Sequence, residues 1–113
     1  MLWPKATAHA FDQLRLEQCA EVVKPEWWND DGLKALSARV LRAAPNEETA
    51  LDMRAMVLSG MPGGAWEVGL RSAAELKEAA TCFDRSAALC NAPSWKTEIS
   101  GLADWCRRRA EAL

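Results

Sequence analysis

Apolar residues recur along the chain at intervals of three and four, the spacing that places them on one side of an α-helix, in five separate stretches. The first runs from about Pro4 to Val23, with Phe11, Leu14, Gln18 or Cys19, and Val22 on one side. Pro4 suits a first helical turn, where its missing N–H loses nothing, and Pro25 closes the segment. The second carries Leu33, Leu36, Val40, Leu41 and Ala44, with Asn29, Asp30 and Asp31 as caps and Pro45 as its stop. A third starts from a cap on Asn46, sets Glu47 and Glu48 at the positive end of the helix dipole, and continues through Leu51, Ala55 and Leu58 to Gly60. Ser72-Ala73-Ala74-Glu75 has the form of a capping box and opens a fourth helix, whose stripe is Leu76, Ala80, Phe83, Ala87 and Cys90. Asn91-Ala92-Pro93 ends it. Ser94 is then the expected cap of a fifth, with Trp95, Ile99, Leu102 and Trp105 or Cys106 on one face.

The connections after the second and fourth predicted helices are a few residues long, which folds neighbouring helices back on one another as antiparallel pairs. Ser59 to Arg71 is the exception. It holds four of the six glycines together with Pro62 and Trp66, and reads as a long loop.

Composition supports the helical reading. The 113 residues suffice for one hydrophobic core, and 21 Ala and 13 Leu stand against 10 Val, Ile and Thr together, so an all-α single domain over residues 1–113 is expected. A net charge of −2 provides no global field for nucleic acid or an anionic membrane, and neither is an expected partner. The N-terminal Met1-Leu2-Trp3-Pro4-Lys5 lacks the pattern of a secretory signal, and no apolar run approaches bilayer length; the expectation is an intracellular, cytoplasmic protein.

Candidate chemistry adds little. Cys19, Cys82, Cys90 and Cys106 include no CxxC pair, and Cys82 and Cys90 on one helix would lie about 12 Å apart along its axis. They read as free, mostly buried thiols, and no metal site is expected. His9 stands ten residues from Cys19, about 15 Å along a helix, too far for a dyad within it. No phosphate loop, dinucleotide fingerprint or HExxH occurs, so neither a catalytic residue nor a cofactor is assigned and the chain is read as non-enzymatic. Arg107-Arg108-Arg109 suits the C-terminal end of a helix, where cations are favourable.

One spacing occurs twice. Leu33, Ser37, Val40 and Pro45 are separated by 4, 3 and 5 residues, and Ala79, Phe83, Ser86 and Asn91 repeat those intervals with Pro93 close behind. Small-x3-aromatic-x2-small-x4-Pro marks the second helix of a tetratricopeptide repeat, and residues 79–93 resemble such a helix. Ala55 and Gly101 fall where that family has a small residue in the first helix, whereas Arg54 and Ser100 replace its usual Leu, and the Ser59–Arg71 loop replaces a tight turn. Over residues 31–113 the chain resembles a tetratricopeptide-like domain. The resemblance implies about five antiparallel helices in a fragment of a right-handed superhelix, with a concave groove for an extended peptide or a partner helix. Carried over by position, the groove is lined by Thr49, Asp52, Met56 and Ser59 from the third predicted helix and by Trp95, Glu98, Leu102 and Trp105 from the fifth. Its acidic and aromatic character would repel a terminal carboxylate and favour a basic or apolar protein segment. The plainer alternative makes Trp95, Leu102 and Trp105 part of the core stripe of the last helix.

Six tryptophans are many for a chain of this length. Trp27 and Trp28 before the second predicted helix and Trp66 in the loop can anchor an interface, or can tuck under their own loops and staple them. A homodimer closed by these rings is therefore the alternative function. A small-molecule site beneath the Gly60–Arg71 loop is the third.

Overall fold

A computed structural model describes residues 25–61 and 65–113 and shows four helices: α1 (Asp30–Ala43), α2 (Glu48–Ser59), α3 (Ala73–Leu89) and α4 (Pro93–Glu111). These are the second to fifth predicted helices; the first, with His9 and Cys19, lies outside the described residues. No strand occurs among the described residues, so the protein is all-α there. No described helix is long and apolar enough to cross a membrane.

Consecutive helices run antiparallel. Arg54, in the second half of α2, reaches Lys34 near the start of α1 and Glu78 near the start of α3. Arg107, late in α4, reaches Asp84 on α3, and Glu111 lies beside Lys77.

The helix ends follow local chemistry. Asn29 caps α1 by accepting from the Gly32 N–H at 2.8 Å. The capping box at α3 is complete: Ser72 accepts from the Glu75 N–H at 3.1 Å, and the Glu75 carboxylate accepts from the Ser72 N–H at 3.0 Å. Gly60, at φ 74°, ends α2 in the left-handed region. Two expected caps differ. Glu47, not Asn46, stands at the start of α2 and makes no side-chain cap bond, while the Asn46 side-chain oxygen accepts from Arg85 on α3 instead. Pro93, with its preset φ, starts α4 before Ser94, leaving Ala92 at the cap position.

Two apolar clusters share α2 as their common wall. Leu51, Ala55 and Leu58 face α3 and α4, where they meet Phe83, Ala87, Ile99, Ala103 and Cys106. Ala50, Met53 and Val57 face the other way and meet Trp28, Leu33, Leu36 and Val40. The sequence reading named only the first of these sides. Both sides of α2 also carry a buried serine contact: Ser37 on α1 accepts from Arg54 at 3.1 Å, and Ser86 on α3 donates to Asp52 at 2.5 Å. Ser37 and Ser86 belong to the two copies of the repeated spacing, though not to the same register position within it. Cys82, Cys90 and Cys106 are free and buried, as expected, and burial pushes the Cys82 thiol up to about 11.

The start of α1 leaves no room for a side chain at Gly32, since a Cβ there would stand 2.0 Å from the Trp27 carbonyl oxygen. Gly32→Ala, which in an open helix gains roughly 0.5–1 kcal/mol, is expected to lower stability here. A urea midpoint below that of the unsubstituted chain checks it.

Candidate functional site

The loop that returns from α2 to α3 is fastened by one carboxylate. Asp30, in the first turn of α1, takes a bidentate pair of hydrogen bonds from Arg71, at 2.8 and 2.6 Å. It also accepts from the Trp66 indole at 3.1 Å and from the Gly69 N–H at 3.3 Å. Arg71, whose side chain is only 5% exposed, donates further to the carbonyl of Val57, one of the last turn of α2, which the helix itself leaves without a partner. Lys34 links Asp30 to Glu75 at the start of α3, at 3.7 and 2.6 Å. One ionic chain thus joins the starts of α1 and α3 with the end of α2.

The tryptophans complete the fastening. Trp28 is 7% exposed and donates its indole N–H to the Ala65 carbonyl at 2.9 Å. Its ring meets Trp27 and Trp66 edge to face, at centroid distances of 5.6 and 6.1 Å. Trp28 faces inward and Trp66 donates to Asp30, while Trp27 and Trp66 each keep part of their surface exposed.

Fastened in this way, the loop encloses an open cavity of about 360 Å3 between the end of α2 and the last turns of α4. Ser59, Gly60 and Met61 line one side, Val68 to Arg71 another, and Trp105, Arg109 and Leu113 the third, with buried Leu76 among its walls. Leu70 is 99% and Leu113 72% exposed. Arg109 stacks over the Trp105 ring at 5.3 Å. The Arg71 Nε is buried with no hydrogen-bond partner among the described residues.

The predicted groove residues separate into groups. Ser59 and Trp105 come together at the cavity. Met56, Trp95 and Glu98 are exposed, Trp95 by 52%, while Thr49 and Leu102 are half-buried. Asp52 turns to Ser86, and burial pushes its carboxyl above the usual range despite that hydrogen bond, so its charge is disfavoured. The core face of α4 is Ile99, Ala103, Cys106 and Ala110; Trp95 lies outside it, and Leu102 and Trp105 pack along its edge. Leu70 and Arg71 are brought to the cavity by the loop, and Arg109, read from sequence as a cation suited to a helix end, by the last turn of α4. Only the length and glycine content of that loop signalled the place. No group of three or more His, Cys, Asp or Glu that can hold a metal occurs among the described residues.

Arg71, mainly by hydrogen bonding, holds the Asp30 carboxyl well below the ordinary carboxylate range, with Trp66 and Gly69 adding to the effect against burial. A depressed folded value stabilises the fold above the unfolded value of about 3.9 and loses that contribution as pH falls through the folded one. Asp30→Asn, which strands a buried guanidinium, is expected to cost about 3 kcal/mol at pH 7. The difference between variant and parent in urea unfolding should shrink as pH is lowered below 4. No protein-family model matches the chain, and no curated protein or solved structure does either.

Proposed function

We propose that the domain is a non-enzymatic, tetratricopeptide-like protein-interaction module. It receives an apolar segment of a partner along the surface of α2 and α4, and the cavity under the loop is the closed end of that surface. The observation that carries this reading is the meeting of Ser59 and Trp105, one from each helix assigned to the groove, in the walls of one cavity. The exposed Met56 and Trp95 extend the same two helices with apolar surface. Of the basic or apolar partner expected from sequence, the apolar part is retained, because Asp52 is taken up by Ser86 and Glu98 is the one exposed acid of the pair.

The cavity lies beneath the Gly60–Arg71 loop and is also of the size that takes a small molecule. A small-molecule site is accordingly the second reading.

Selection from a displayed peptide library against the chain is expected to enrich segments with large apolar side chains. Met56→Ser and Leu70→Ser, which remove exposed apolar groups and leave the core intact, should each weaken rebinding severalfold. Absence of enrichment, or equal binding to both variants, would remove the groove; a fragment screen that moves the Trp105 indole signal while no peptide does would favour the small molecule.

A further inference from the structure

The charge around the cavity differs from that of the chain as a whole. The protein is acidic overall, yet among the described residues the only charged side chains lining the cavity are Arg71 and Arg109. Their situations are unequal. Arg71 is buried and paired with Asp30, so its field is largely spent within the fold, although its Nε–H has no partner among the described residues. Arg109 is exposed, makes no ion pair among the described residues, and is held over the Trp105 ring beside exposed Leu113. The neighbouring Arg107 is already committed to Asp84 and Asp104, both at 2.6 Å. Among the described residues the last helix therefore offers one cation without an ion pair at the cavity, flanked by an aromatic ring and an exposed leucine.

We infer that the cavity receives a partner segment in which a large apolar side chain is followed or preceded by an acidic one. The apolar group enters between Leu70, Leu76 and Trp105, and the carboxylate pairs with Arg109 at the rim. This inference rests on the interaction reading above and specifies the partner's chemistry at one end of the groove. Charge complementarity carries it: a basic residue at the same place would meet Arg109 with the repulsion that discriminates against wrong partners.

The test uses three capped synthetic peptides that alternate leucine with glutamate, lysine or serine, titrated into the full chain. The readouts are the Trp105 indole N–H and the amides of Gly69, Leu70 and Leu113 by two-dimensional NMR. The glutamate peptide is expected to bind tightest. Arg109→Glu should weaken it roughly two- to fivefold, within what an exposed charge pair allows, and improve the lysine peptide. Arg108→Glu, the same charge change on an exposed residue that does not line the cavity, should leave the preference intact. Binding of the serine or lysine peptide as tight as the glutamate one at these signals, or equal losses in the two variants, would overturn the acidic preference while leaving the groove. Silence of all three peptides would remove both.

Discussion

A single carboxylate, that of Asp30, sets the geometry on which the rest of the site depends. It lies in the first turn of α1, where the helix dipole already favours a negative charge, and it gathers donors from Trp66, Gly69 and Arg71 of one loop. A loop of this length has many conformations to lose, and apolar contact alone would leave it ill defined. Ionic bonds with fixed direction select one conformation. Arg71 then carries the constraint onward to the Val57 carbonyl, which ties the loop to the end of α2 as well as to the start of α1. The cavity depends on this: its walls are loop, α2 and α4, and the loop wall keeps its place because Asp30 and the Val57 carbonyl hold Arg71.

Beneath the loop, α2 bears the structural load. An amphipathic helix with one apolar stripe can be covered from one side, but α2 buries Ala50, Met53 and Val57 on one side and Leu51, Ala55 and Leu58 on the other. Small residues at Ala50 and Ala55, both fully buried, let neighbours approach closely. The polar atoms of that helix are used with equal economy, Arg54 reaching α1 and α3 together and Asp52 accepting from Ser86. With α2 fixed between α1 and α3, the orientation of Met56 and Ser59 follows.

Much of the fold was legible because its signals are local. The Asn29 cap, the Ser72–Glu75 capping box, Gly60 and the interruption at Pro45 each involve residues within a turn of one another. Of the α1 stripe, Leu33, Leu36 and Val40 are buried while Leu41 and Ala44 are half-buried, and the whole α3 stripe is buried together with the small Ala79, Cys82 and Ser86 beside it. The misses share a physical cause, which is dependence on distant residues. Asn46 was drawn from its cap by Arg85, 39 positions away, and Asp30 finds Arg71 at a separation of 41. Periodicity gives one buried side to α2 because a helix walled in by two neighbours spreads its apolar residues, here Ala50, Met53 and Val57 as well as Leu51, Ala55 and Leu58, over both sides, with Asp52 and Arg54 between them. In α4 the predicted stripe holds Ile99 and, as one of two options, Cys106, both buried, but it includes the exposed Trp95 and lacks Ala103 and Ala110, small residues that allow close approach to α3.

The most direct measurement is a double-mutant cycle between Asp30 and Arg71, using Asp30→Asn, Arg71→Leu and the pair, read by urea unfolding at pH 7. Residues that form one buried ionic bond and jointly fix the loop should show a coupling of about 2 kcal/mol. A coupling below about 0.5 kcal/mol, the level at which distant sites simply add, would mean that the loop is not held by this pair and that the cavity has no fixed frame.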